Sequence, residues 1–284
     1  MSASTGWSGS ATEILRVDPS VSFADVDTYA KPGFTGSKSD GKAWLGSRAT
    51  DLRELQEKLY ANGRSGDHRS VLLVLQGMDT SGKGGIVKHV LGQVEPQGVD
   101  HTSFAAPTEE ERAHPFLWRV EKALPRAGQI GVFDRSHYED VLIVRVHDMV
   151  PREVWETRYD EINAFEKRVV ESGTTLIKVA LALSKDEQRE RLARRLRRPD
   201  KYWKFDPSDV AERGYWNDYM AAYDAVFERT STEYAPWHVV PCDRKWYSRV
   251  AVTELLVEAL HGFDLDWPAA DFDVEEQRRL LRES

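Results

Sequence analysis

The sequence predicts an α/β fold, a parallel sheet with helices on both faces, making three layers. Three observations carry that expectation. Val71–Leu75 and Thr175–Leu183 are short apolar runs without polar alternation, the pattern of strands buried on both faces. Segments with helical spacing separate the strand-like runs along the chain. Gly77-Met78-Asp79-Thr80-Ser81-Gly82-Lys83 fits G-x-x-x-x-G-K and lies between the first such run and the helical pattern Ile86–Leu91. Strand, glycine loop and helix in that order form the context of a phosphate-binding loop.

Taken in order, Met1–Gly9 is rich in Ser, Thr and Gly and reads as disordered. Tyr29–Gly41, with Pro32, Gly33 and Gly36, reads as an extended arm. Lys42–Tyr60 carries Ala43, Leu45, Leu52, Leu55 and Leu59 at helical spacing, and Asn62-Gly63 to Asp67 reads as a turn. Residues 1–68 are therefore expected to form an N-terminal arm with a helix, ahead of a core over 69–262. Within the core, Val99–Ala105 reads as a second strand and Glu109–Ala123 as a helix disturbed at Pro115. Gln129–Phe133 is a third strand ending at Asp134. Tyr138–His147 and Arg152–Ser172 look helical, Thr175–Leu183 is the fourth strand, and charged helices follow over Lys185–Arg198 and Ser208–Arg229. Trp237–Pro241 and Arg244–His261 are the last strand and helix. The tail 263–284 is acidic, then basic, and is expected on the surface. No repeat or heptad run is present.

Composition bounds the function. The chain has 284 residues, 40% hydrophobic and 30% charged, ample for a core. A net charge of −8 argues against general nucleic-acid binding, so any anion site must be local. The lone Cys242 excludes an intramolecular disulfide and a Cys-rich metal site. Met1–Ser10 lacks the basic-then-apolar order of a signal peptide, and no apolar stretch reaches membrane-span length. The expected location is the cytoplasm, with no membrane partner.

Several constellations point to phosphate chemistry. The loop glycines Gly77, Gly82, Gly84 and Gly85 let backbone N–H groups curl around a phosphate, with Thr80 and Ser81 between them. Lys83 adds a full charge and Lys88 lies one turn further on. The position after Lys83, usually a metal-binding hydroxyl, is Gly84, so the metal must be held otherwise. Asp79 is the nearest carboxylate, and Asp134, at the end of an apolar strand, is the second. Two oxygen ligands of this kind suit Mg2+, with Mn2+ as a substitute. Arg135 is placed to clamp a phosphoryl group.

Lys185–Lys204 has nine Lys/Arg against four Asp/Glu, +5 locally in a −8 protein. Arg191, Arg194, Arg195 and Arg198 share one helical face, Pro199 ends the helix, and Lys201, Trp203 and Lys204 extend the basic surface. Such a run is most often a solvated, salt-bridged helix, but acidic partners within it are too few. It is read as a phosphate-binding lid over about residues 185–216. Trp203, flanked by cations, is read as a contact for a base. His137 is read as a polar residue opening a helix, not as a covalent phosphate carrier. The remaining tryptophans, such as Trp216, Trp237 and Trp246, are expected in the core.

Together these residues resemble the polyphosphate kinase 2 family over about Lys31 to Leu260. The marks are Gln76-Gly77-Met78-Asp79 with Gly82-Lys83, Pro107-Thr108 with Phe116-Leu117-Trp118-Arg119, and Asp134-Arg135-Ser136-His137-Tyr138-Glu139-Asp140. The lid series Arg191, Arg195, Pro199, Lys201, Trp203 and Lys204 follows, then Ala235-Pro236-Trp237 and Lys245-Trp246-Tyr247. The resemblance implies a P-loop kinase-like core, similar to thymidylate kinase, under a helical lid. It implies transfer of phosphate between inorganic polyphosphate and nucleoside mono- or diphosphates, AMP and ADP foremost and GDP as a further acceptor, with Mg2+. It also implies a homo-oligomer, dimer or tetramer, and nucleotide contacts at Arg119, Tyr138 and Glu139. Arg195 joins Asp79, Lys83, Asp134 and Arg135 as an expected catalytic group. Ser136 to Asp140 looks like the subgroup that accepts both mono- and diphosphates, yet that subgroup typically has Asn where this chain has Asp134. An ATP-dependent nucleoside monophosphate kinase and a non-catalytic nucleotide-binding switch are the alternatives.

Overall fold

A computed structural model describes residues 5–284. Strands are β1 Gly6–Trp7, β2 Phe34–Thr35, β3 Ser70–Gln76, β4 Val99–Ser103, β5 Ile130–Asp134, β6 Thr174–Ala182 and β7 Trp237–Pro241. The last five form one parallel sheet in the order β4-β5-β3-β6-β7, and β1 and β2 form a small antiparallel pair. β3 lies at the centre of the sheet, where all seven of its residues are buried. Its side chains alternate between two cores. Val71, Leu73 and Leu75 face one, and Leu72 and Val74 face the other.

The first core is closed by α2 (Lys38–Arg64), α3 (Lys83–His89) and α11 (Lys245–His261). The second is closed by α7 (Arg152–Glu171) and α10 (Trp216–Thr230). The predicted three layers are thus observed. The helix of the expected arm is integral to one of them. Leu52, Leu55 and Leu59 of α2 share the core with α11, and Trp44 and Arg48 both donate to Glu254. Ser37 starts α2 through a capping box with Asp40.

Several boundaries differ from expectation. Residues 1–4 of the segment read as disordered lie outside the described residues, whereas Gly6 and Trp7 pair with Thr35 and Phe34. The expected turn at Asn62-Gly63 is helical through Arg64, with Asn62 Nδ2 donating to Lys58 and Asp266 carbonyls. Pro115 divides Glu109–Ala123 into α4 (Glu109–Arg112) and α5 (Trp118–Lys122), because proline cannot donate an interior helix bond. The expected helix over Tyr138–His147 is a 3₁₀ turn, His137–Asp140, then α6 (Ile143–Val146), since His137 and Tyr138 are drawn into the core. Ser208–Arg229 breaks into α9 (Ser208–Glu212), a 3₁₀ turn at Arg213–Tyr215 and α10. The lid itself is α8 (Lys185–Leu196), a 3₁₀ turn at Pro199–Lys204, and α9. Near the chain's start lies α1 (Ala11–Leu15), and the tail ends in an exposed helix, α12 (Val274–Glu283). No described helix is long and apolar enough to cross a membrane.

Candidate active site

The loop after β3 leaves the centre of the sheet, where positive φ is required three times: Gly77 at 151°, Thr80 at 67° and Gly82 at 117°. At Gly77 a Cβ would also sit 2.9 Å from Ser81 Oγ and 3.0 Å from Leu181. Lys83 opens α3 and its Nζ donates to Gly77 O at 2.7 Å, folding back over the loop. Thr80 Oγ1 and Ser81 Oγ are buried without a protein partner.

β5 lies beside β3, with Leu75 opposite Asp134, so the aspartate arrives next to the loop. Arg135 follows with φ 64° and donates from Nη2 to Asp79 Oδ1 at 2.9 Å. Burial works against its charge, but Glu139, Asp79 and Asp134 outweigh that and raise its pKa further. Burial raises the Glu139 carboxyl above its ordinary range, opposed by Arg135 and Lys83. Gln76, with its amide turned to satisfy its neighbours, donates to Glu139 Oε1 at 3.1 Å and accepts from Ser136.

Asp79, Lys83, Asp134 and Arg135 line one cleft of about 640 Å3, together with Gly82, Gly84, Gly85, Thr80, Ser81 and Lys88. The lid contributes Arg191, Arg194, Arg195, Arg198, Lys201 and Lys204. Eleven lysines and arginines line the cleft against two carboxylates, a concentration of positive charge inside an acidic protein.

Two expected contacts, at Arg191 and Tyr138, need correction. Arg191 is not a free lid cation: it is 3% exposed and holds the loop in place. Its Nη1 donates to Thr80 O and Ser81 O at 2.9 Å, its Nη2 to Cys242 O and Asp243 O, and its Nε to Glu187. Tyr138 cannot meet a nucleotide, because it is fully buried between Glu166 (2.7 Å) and Lys178 (3.0 Å). Arg119 donates to Ala105 O at 2.9 Å and lies over Phe104, so it props the cleft wall from behind. Trp203 is 77% exposed outside the cleft, with Nε1 on Asp200 O and Lys204 over its ring. Arg195 is in the cleft wall but donates to Lys204 O at 2.6 Å and pairs with Asp209.

His137 is buried, with Nε2 3.2 Å from Glu166, and burial depresses its pKa, so it is neutral and out of reach of phosphate. The lid's acids are also better placed than their number suggests. Glu187 pairs with Arg191 and Arg194, Asp200 with Arg198 and Lys201, and Asp209 reaches in from α9.

Sequence reasoning missed Ser103 at the end of β4, Phe104 and Ala105 just after it, and Lys245, Ser248 and Arg249 on α11. The signal for the last three was their i, i+3, i+4 spacing in the first turns of α11. Lys245 is pushed down to about 8 by desolvation in the cleft and by Arg191 and Arg194. Among the described residues no group of three or more His, Cys, Asp or Glu is placed to hold a metal.

With this geometry established, comparison with known proteins is informative. The family model for polyphosphate kinase 2 matches residues 35–266. An AMP/ADP-polyphosphate phosphotransferase of Meiothermus ruber is 45% identical, over 90% of this chain and 91% of its own. An ADP-polyphosphate phosphotransferase of Rhodopseudomonas palustris is 41% identical, over 83% of this chain and 84% of its own. The crystal structure of polyphosphate kinase 2 from Arthrobacter aurescens superposes with a TM-score of 0.96 at 56% identity, covering 99% of this chain and all of that one. A phosphate loop at the centre of a parallel sheet, a cationic lid over it and these matches establish that the chain belongs to the polyphosphate kinase 2 family.

Proposed function

We propose that this protein transfers a phosphoryl group between inorganic polyphosphate and AMP or ADP, by in-line displacement assisted by Mg2+. The observation that carries the reading is the cleft itself. A nucleotide phosphate tail does not require eleven cations around one loop, whereas a linear polyanion does. The phosphotransferases of Meiothermus ruber and Rhodopseudomonas palustris, named for AMP/ADP and ADP respectively, support the same substrates here.

The donor set fits a hard divalent cation. Asp79 and Asp134 both present carboxylates to the cleft, and magnesium commonly takes one or two such ligands with phosphate oxygens and water. Bound there, the ion supplies charge neutralisation on phosphate oxygens. The chain's own residues do the rest. Lys83 and the loop amides hold the transferred group, and the partnerless hydroxyls of Thr80 and Ser81 face a loop built for a ligand's oxygens. Arg135 exchanges Asp79 for a nucleotide phosphate and orients it. The attacking phosphate oxygen is already ionised near neutral pH, so no general base is required. A loose transition state spreads charge on oxygens, and fixed cations stabilise it.

The test incubates purified protein with Mg2+, polyphosphate and either AMP or ADP, and measures ADP and ATP. Turnover with polyphosphate as donor is expected. Turnover of AMP with ATP but never with polyphosphate would refute it.

A further inference from the structure

Behind the cleft, the lid helix makes a further contact with the phosphate loop. Gln188 ends the first turn of α8, is 1% exposed and does not line the cleft. Its Nε2 donates to Asp79 O at 3.1 Å, and its Oε1 accepts from Arg213 Nη1 at 2.7 Å. A carbonyl only accepts and a guanidinium only donates, so these two partners admit one orientation of the amide. Arg213 sits in the 3₁₀ turn where the chain returns from the lid to α10, and it too lies outside the cleft. The same Nη1 donates to Lys185 O at 2.8 Å. One amide therefore joins the phosphate loop, the start of α8 and the lid's return segment.

Together with Arg191, this makes three consecutive loop carbonyls, those of Asp79, Thr80 and Ser81, held by one helix. In a trans peptide the next N–H points opposite to the carbonyl, so the hold fixes the directions of the Thr80, Ser81 and Gly82 amides. Thr80 has φ 67°, a conformation that a β-branched residue keeps only where its surroundings impose it. Among the described residues the Asp79 side chain has one hydrogen-bond partner, Arg135. When Arg135 turns to a nucleotide phosphate, as in the mechanism above, the Gln188 bond is what still fixes Asp79.

We propose that Gln188 is a positioning residue for phosphoryl transfer: its amide sets the Asp79 peptide, and Arg213 orients that amide, so loop geometry depends on the root of the lid. This rests on the polyphosphate reading above and concerns how the loop is held during that reaction. Binding of the polyanion is spread over the many cations that line the cleft, and neither Gln188 nor Arg213 is among them. Displacing one peptide of the loop therefore affects the transition state more than the substrate complex.

The experiment measures kcat and KM for polyphosphate, with saturating ADP and Mg2+, and urea unfolding of each protein. The proteins are wild type, Gln188→Glu, Arg213→Gln, Gln188→Met and Gln188→Met/Arg213→Gln. An ionised glutamate keeps the shape and still accepts from Arg213, but has no donor for Asp79 O. Gln188→Glu is expected to lower kcat roughly ten-fold or more and to leave KM within about three-fold. Arg213→Gln should lower kcat less, in the same sense. In the Gln188→Met background, which makes neither bond, Arg213→Gln should cost nothing further in kcat. A Gln188→Glu kcat within about two-fold of wild type, or a loss carried by KM alone, overturns the assignment. Additive losses in the double variant overturn the link through Arg213. If Gln188→Glu fails to fold, the half-buried Arg213→Gln carries the same comparison of kcat with KM. Failure of the wild type to use polyphosphate overturns the polyphosphate reading and this inference with it.

Discussion

At the scale of single residues, charge near the loop follows two rules. Among the described residues, the one hydrogen bond of the Lys83 ammonium is to the loop carbonyl of Gly77, so its removal should leave folding intact while costing catalysis. Lys83→Ala is expected to lower turnover by about 10²–10³, as for other electrostatic stabilisers, with an unchanged melting temperature. A variant that keeps half of wild-type turnover contradicts the role. Lys245 offers a pH test. It is pushed down to about 8 among Arg191, Arg194 and Arg249, with Glu187 as the opposing carboxylate. The ammonium is present below that value and lost above it, and a bound anion pulls it back up. The Michaelis constant for polyphosphate should therefore rise between pH 7 and 9. In Lys245→Gln that rise should shrink, and parallel pH profiles would remove Lys245 from binding.

At the scale of elements, α8 does two jobs that its sequence does not separate. Arg194 and Arg195 face the cleft, while Arg191 is turned inward and joins the phosphate loop to the end of β7 through four carbonyl oxygens. Truncating a buried, fully bonded guanidinium takes that donor from all four oxygens and leaves Glu187 with only Arg194. Arg191→Ala is expected to cost about 3–5 kcal/mol in urea unfolding and to disorder the loop. Arg194→Ala, half-exposed on the same helix, should leave the unfolding midpoint in place. Equal midpoints for the two variants would show that Arg191 is not the clamp.

At the scale of the molecule, imidazoles buried on both faces of the sheet set the response to acid. The second core encloses Lys178, Glu166, Tyr138 and His137 in one buried network. Next to it, His238 on β7 is 3% exposed and is depressed from 6.5 to about 4, first by burial, with Nδ1 on Lys178 O. In the unfolded chain this imidazole protonates near pH 6.5, and in the folded protein only near 4. The folded state therefore binds fewer protons in that window and loses stability as pH falls through it, by about 3 kcal/mol from this group. His137, also depressed, acts in the same direction. Urea unfolding between pH 7 and 4 should show the loss, and His238→Gln, which keeps a donor, should flatten it. A variant as acid-sensitive as wild type contradicts the assignment.

What the chain determined by itself is local. The strand, glycine loop and lysine over 70–83 are contiguous, and their spacing carries both conformation and chemistry, so the loop and the parallel sheet were legible. Asp134 was legible because a strand end is marked by the change from apolar to charged residues. Which way a cation points is decided elsewhere. Arg191 and Arg194 are alike in sequence, yet one is buried against β7 and the other lies open to the cleft. Tyr138 and Glu139 are neighbours, yet the first points into the core and the second toward Arg135. Lys245 and Arg249 reach the loop from α11, more than 160 positions downstream. Side-chain direction and pairing depend on the free energy of burial against partners from distant segments, and those partners exist only once the sheet has assembled its two cores.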